Sequence, residues 1–252
     1  MSADKTMIFT VTSDGYKYFT WNLWKNIQLL KVPWRLTILC LDRESLDFFN
    51  RIALVPAKPY FMERTSGEHK TPSLFGSSHF KRMNRMKLKA LEEFSQKEDL
   101  DTLIYIDSDI AVFEDLVPVL KEALIEAPLL FQCDEKVDGD FRCSDKNHCK
   151  NPCTGVIAMR LPDQRETLKK LYSLESETWK KSLTDQDYIA TRLLDLLIPY
   201  ETLDRNRFPN GIFLAGDRYK AGTPVLVHFN YILGMEKRRV MKTKGCWLLE
   251  VQ

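Results

Sequence analysis

The chain has 252 residues, 44% hydrophobic and 29% charged, with a formal net charge of +2 at pH 7. These values belong to an ordinary folded protein and exclude a disordered polymer, while the near balance of charge excludes a strongly basic nucleic-acid binder. The length is within reach of one α/β core, so a single domain over residues 1–252 is expected.

No apolar run approaches the length that spans a membrane, and the polar start, residues 1–6, lacks the layout of a secretory signal. A cytoplasmic, reducing compartment is therefore expected. Cys40 lies in an apolar run and reads as a small core residue. Cys133, Cys143, Cys149 and Cys153 cluster in a polar stretch without a paired Cys-x-x-Cys. Free thiols are the expected state there, with a zinc site or a disulfide as the alternatives.

Residues 7–12 are short, apolar and β-branched and end at Ser13-Asp14-Gly15, which predicts a buried strand and a loop. Residues 18–30 carry Trp21, Trp24 and Leu30 at helical spacing before Pro33, and residues 36–41 form a second strand pattern. Strand, helix, strand predicts a βαβ unit and a mainly parallel sheet. Residues 56–78, rich in Pro, Gly, Ser and Thr, read as a long loop. A helix is expected over 79–95 and a strand over 103–106. Further strands are expected over 129–132, 156–160 and 225–227, and helices over 164–181 and 188–197. There is no internal repeat, so the fold class is α/β, a mixed, mainly parallel sheet flanked by helices.

Asp107-Ser108-Asp109 stands directly after the strand 103–106. In an extended chain, side chains two apart share a side, so both carboxylates can face one point beyond a strand's C-terminal end, where open α/β sheets bind ligands. Two hard oxygen donors there suit Mg²⁺ or Mn²⁺ completed by substrate phosphates; a turn or helix cap is the plainer alternative. Along the helix 79–95, the stripe through Phe80, Met83, Ala90 or Leu91, and Phe94 brings Lys87 inward, where an anion would compensate its burial unless its stem snorkels to the surface. His228 follows the apolar run 225–227 as Asp107 follows its own strand. As a ligand its imidazole would favour Mn²⁺ over Mg²⁺. Gly234, Lys237, Arg238, Lys242 and Lys244 then offer flexibility and positive charge for a leaving diphosphate, or form an exposed basic tail.

The run 103–110 resembles the Asp-x-Asp segment of GT-A (Rossmann-like) nucleotide-diphospho-sugar transferases. Thr154-Gly155-Val156 with Met159-Arg160, then Asp185-Gln186-Asp187, then Phe208-Pro209-Asn210-Gly211, agree with that family in order. Val227-His228-Phe229-Asn230 through Gly234, Lys237 and Gly245-Cys246-Trp247 are similar to its closing motif. The closest group is that of plants, algae and some large viruses, with glycogenin-like enzymes as distant relatives; a viral chain would act in the host cytoplasm. The resemblance implies a single GT-A domain with Mn²⁺ (or Mg²⁺) held by Asp107, Asp109 and His228. It implies donor binding by Thr10, Thr12, Tyr16, Lys87, Asp107, Ser108, Gly155, Asp185, Gly234 and Lys237. Among these, Thr10, Thr12 and Tyr16 would hold base and ribose, Lys237 the diphosphate, and Asp185 donor-sugar hydroxyls, with Gln186 near the anomeric carbon. The stretch from Cys133 to Cys153 departs from the family, in a region where acceptor loops vary.

The activity implied is transfer of a sugar from a nucleotide diphosphate, with uridine the commonest base, to a hydroxyl of a glycan or glycoprotein acceptor. Metal and lysine would stabilise the departing diphosphate. An inverting enzyme would also need a carboxylate base, for which Asp185 and Asp187 are the candidates, either of which can instead cap the following helix; the resemblance leans toward retention. Two other readings remain: an aspartate-nucleophile phosphohydrolase or phosphotransferase using Asp107, and a non-catalytic nucleotide-sugar-binding module.

Overall fold

A computed structural model describes residues 5–52, 57–60, 77–134, 151–175, 177–211, 223–232 and 234–249. In chain order it contains β1 (Thr6–Thr12), α1 (Lys17–Leu29), β2 (Leu36–Cys40), α2 (Arg43–Ile52), β3 (Ala57–Pro59), α3 (Ser78–Ser95), β4 (Thr102–Ile106) and β5 (Ile110–Val112). There follow α4 (Leu116–Glu126), β6 (Leu129–Cys133), β7 (Pro152–Arg160), α5 (Arg165–Tyr172), α6 (Glu177–Lys181), α7 (Asp185–Asp195), β8 (Glu201–Thr202), β9 (Leu226–His228) and α8 (Gly234–Thr243).

Seven strands form one sheet in the order β3-β2-β1-β4-β7-β6-β8, and β5 pairs with β9 in a separate ladder. β1 is parallel to both β2 and β4, whereas β7 runs antiparallel to β4 and β6. The mixed, mainly parallel α/β sheet flanked by helices is as expected. The chain leaves β1 toward β2 on one side and reaches β4 on the other, so the strand order reverses beside the C-terminal end of β4. A crevice opens at such a reversal.

Strand alternation sorts the core into two layers. Ile104 and Ile106 of β4 pack with Leu23 and Ile27 of α1, Phe49 of α2 and Leu120 of α4. Leu103 and Tyr105 face the other way, onto Leu88 and Leu91 of α3, Leu171 of α5 and Tyr188 of α7. A third cluster joins Phe19 of α1 to Ala111, Val227, Phe229 and Met241, and so seats the β5–β9 ladder and α8.

Several expectations are corrected. Within 56–78, Ala57–Pro59 is a strand parallel to β2, while residues 61–76 lie outside the described residues. The helix expected over 164–181 is two, since α5 stops at Tyr172 and α6 begins at Glu177. The helix expected from 188 begins at Asp185. Its cap is Thr184, whose hydroxyl accepts from Asp187 N at 3.0 Å, so neither Asp185 nor Asp187 is the cap. The basic segment after residue 234 is a helix rather than a tail, and its Lys237 is buried. Cys40, Cys133 and Cys153 are buried free thiols, as expected, while Cys143 and Cys149 lie outside the described residues. No described helix is long and apolar enough to cross a membrane.

Candidate active site

Beyond Ile106 the chain turns through Ser108 instead of continuing extended. Two backbone contacts hold the turn: Asp107 N donates to Gly155 O of β7 at 2.8 Å, and Phe229 N donates to Asp109 O at 3.1 Å. The β5–β9 ladder pairs Ile110 with His228. The imidazole is thereby set beside both carboxylates, with Nε2 lying 3.3 Å from Asp109 Oδ1 and 3.6 Å from Asp107 Oδ2. Ligand atoms of Asp107, Asp109 and His228 all lie within 4.8 Å of one another.

The proton on the ring is fixed by its neighbours. Gln132 gives its amide Nε2 to Phe208 O (2.9 Å) and Pro209 O (3.2 Å), which leaves Oε1 to accept from His228 Nδ1 at 2.7 Å. With Nδ1 engaged by Gln132, Nε2 is the ring nitrogen that faces the two carboxylates. The three groups could together hold a metal ion, and a hydrogen bond from the other ring nitrogen is what metal-bound histidines commonly carry. Gly155 leaves room for the ring, because a Cβ there would collide with the imidazole.

Around this cluster lies a cavity of about 600 Å³. Its wall carries the carboxylates of Asp107, Asp109, Asp185 and Asp187 against the ammonium groups of Lys87 and Lys237. Such an excess of negative charge would repel a diphosphate unless a divalent cation accompanied it. Asp109 accepts from Lys237, and although burial favours its neutral form, Lys237 and His228 hold its pKa far below the ordinary value. Lys87 is buried as its helical position predicts; its Nζ lies 2.8 Å from Asp185 Oδ2 and 3.5 Å from Asp107 Oδ1. Burial pushes its pKa down, but Asp107 and then Asp185 more than offset this and keep it above the usual lysine value.

Tyr16, Ser108, Gly155, Gln186 and Asp187 also line the cavity, so the structure brings most of the expected site residues together. Thr10, Thr12 and Gly234 are not on its wall. Thr10 and Thr12 are fully buried, and Thr12 Oγ1 accepts from Thr20 at 2.7 Å. The base-and-ribose role expected of these two side chains is thus not supported by their position, and of the three residues only Tyr16 reaches the wall. Gly234 starts α8 with φ +54°, so its glycine character answers to the backbone.

Four contributors escaped sequence reasoning. Tyr105 donates to Asp107, and burial together with Asp107 raises its pKa well above the usual value, so it stays a donor. Thr154 Oγ1 donates to Asp185 at 2.8 Å. Gln132 orients His228, and buried Asp134 accepts from Gln186 Nε2 (2.6 Å) and Tyr231 Oη (2.5 Å). Asp134 was accessible to the same logic as Asp107, for it follows the buried strand β6 directly.

The profile of the nucleotide-diphospho-sugar transferase family matches residues 33–241. Among solved structures, the chain is similar to the galactosyltransferase LgtC in complex with donor and acceptor sugar analogues (17% identity, 97% of each chain, TM-score 0.63). It is similar also to mouse xyloside xylosyltransferase 1 (12% identity, 90% of this chain and 98% of that one, TM-score 0.55). A third is a glycosyltransferase involved in glycosylation of the major capsid of PBCV-1 (14% identity, 95% and 99%, TM-score 0.53). No curated protein sequence matches significantly. With the sheet reversal, the Asp-x-Asp turn and the family profile in agreement, the chain belongs to the nucleotide-diphospho-sugar transferases and is a glycosyltransferase of the GT-A fold.

Proposed function

We propose that the chain, acting as one GT-A domain over residues 1–252, moves a sugar from a UDP-sugar to a hydroxyl of a glycan or glycoprotein acceptor with the help of a divalent metal. The observation that carries this reading is the convergence of Asp107, Asp109 and His228 at the floor of a cavity otherwise too negative for a diphosphate. The imidazole favours Mn²⁺ over Mg²⁺. When bound, the ion supplies charge that stabilises the departing diphosphate.

In this reading Asp107, Asp109 and His228 hold the ion, with Ser108, Gly155 and Lys237 flanking the diphosphate. Tyr16 faces the nucleoside and Asp185 the donor-sugar hydroxyls, while Gln186 lies near the anomeric carbon with its amide held by Asp134. Asp185 is engaged by Lys87 and Thr154, whereas the Asp187 side chain makes no hydrogen bond among the described residues, so Asp187 is the freer of the two for a proton. The sugar acceptor is in keeping with the sugar analogues bound to LgtC and with the xyloside named for the mouse enzyme. The buried free thiols agree with a reducing, cytoplasmic setting.

The test is a panel of UDP-sugars with Mn²⁺, scored for donor hydrolysis and for a shift of Tm. Asp109→Asn should remove Mn²⁺-dependent UDP binding. Unchanged affinity in that variant would take the metal out of the reading, and a phosphorylated Asp107 trapped during turnover would replace it with a phosphotransferase.

A further inference from the structure

Resting on the reading of the cavity as a nucleotide-sugar site, we infer that the Asn84 side-chain amide donates a hydrogen bond to a hydroxyl of the transferred sugar, and that this sugar is neutral rather than a uronic acid.

The two ends of the cavity belong to opposite faces of the sheet. Tyr16 and Ile232 pack in the cluster around Phe19 with α1 and α8, and Lys237 on α8 lies over the Phe19 ring. Asn84 and Lys87 come from α3, and Thr184 to Asp187 from the start of α7, both of which cover the other face. The carboxylate–imidazole cluster stands between. A nucleoside diphosphosugar carries its diphosphate in the middle, so a diphosphate at the cluster sends the nucleoside to the α1–α8 side and the sugar to the α3–α7 side.

Asn84 is 8% exposed and lines the cavity, and its Nδ2 is buried without any hydrogen-bond partner among the described residues. A buried amide with unmet donors is costly, and a native site keeps one where a ligand or water completes it. The neighbours on its helix do not supply an acceptor: Phe80 is apolar, Lys87 is itself a donor, and Met83 Sδ already faces Ser13 Oγ at 3.6 Å. Among the described residues none offers the missing acceptor, and the cavity that Asn84 lines is where a ligand can bring one. Lys87 is balanced between Asp107 and Asp185, and Asp187 adds another carboxylate, so among the described residues this end holds no spare positive charge for a sugar carboxylate. A hydroxyl oxygen fits; an anion does not.

The test compares wild type and Asn84→Leu, each titrated in Mn²⁺ with UDP, UDP-glucose, UDP-galactose, UDP-xylose and UDP-glucuronic acid, alongside Tm. Leucine keeps the volume and removes the unmet donor. UDP affinity and Tm should hold, while the neutral UDP-sugar bound best by wild type should weaken by about three- to tenfold, as for one hydrogen bond. If wild type binds UDP and its sugars but the variant loses no sugar affinity relative to UDP, the role of Asn84 falls alone. A lower Tm accompanied by equal losses for UDP and its sugars assigns Asn84 to structure and overturns the inference. Tightest binding of the glucuronate overturns the sugar class. Absence of any UDP binding by wild type sinks the underlying reading and the inference with it.

Discussion

Gln132 Oε1 accepts the Nδ1 proton of His228 at 2.7 Å across 96 positions of sequence, and thereby decides which ring nitrogen meets Asp107 and Asp109. Gln132→Leu leaves the ring free to rotate or change tautomer. Mn²⁺ affinity in the presence of UDP should fall by roughly 10–100-fold. Stability should drop by about 1–3 kcal/mol, because buried partners of Gln132 lose their hydrogen bonds. Manganese titration and thermal melts of the variant check both; an unaltered titration would remove Gln132 from control of the imidazole.

Gly155→Ala tests the same ring from the other side. The added methyl would stand only 2.5 Å from His228 Nδ1, so the imidazole must move. The expected outcome is loss of Mn²⁺-dependent UDP binding together with an overpacking penalty of about 1–3 kcal/mol. A variant that binds Mn²⁺ and UDP like wild type would mean that the ring position is immaterial.

Lys87→Met strips the cation from between Asp107 and Asp185. Since removing one partner of a buried pair strands the other, stability should fall by about 3 kcal/mol. Mn²⁺ with UDP should restore part of the lost Tm, because the ion would then neutralise Asp107. Equal Tm losses with and without the ion would confine Lys87 to a structural role.

Alkaline stability reports on the core. Burial pushes the Cys40 thiol up to about 12, from 9.0 when exposed. The folded state therefore holds this proton more tightly than the unfolded chain does. Its contribution is complete below pH 9 and is lost as pH rises from there toward 12, amounting to ~1 kcal/mol by pH 10. Cys40→Ala should show a shallower fall in unfolding free energy between pH 8 and 10 than wild type. Parallel curves would contradict the assignment.

What was legible in the sequence was local. β1 and β4 are apolar, β-branched or aromatic runs ended by polar residues, and strands buried on both faces carry that signature. Asp107 and Asp109 were visible as carboxylates at a strand end, and Lys87 as a break in an apolar helical stripe; in the structure all three line the cavity. No helix was expected over α4, although Leu116, Leu120 and Leu124 recur every four residues and Pro118 sits in the first turn, where proline is tolerated. The stretch 164–181 was read through as one helix because its apolar spacing continues past the break after Tyr172.

The sequence by itself determined the α/β layering, the strand-end carboxylates and the inward lysine, since each depends on periods of two or 3.6 residues within one segment. The tertiary structure alone decided that Thr10 and Thr12 face inward while Tyr16 lines the cavity, that Gln132 holds the imidazole, and that His228 meets Asp109 through the Ile110–His228 pairing. Ladders of three residues between segments more than a hundred positions apart have no periodicity of their own to read. They form because the cluster around Phe19, Val227 and Phe229 buries them against the rest of the protein.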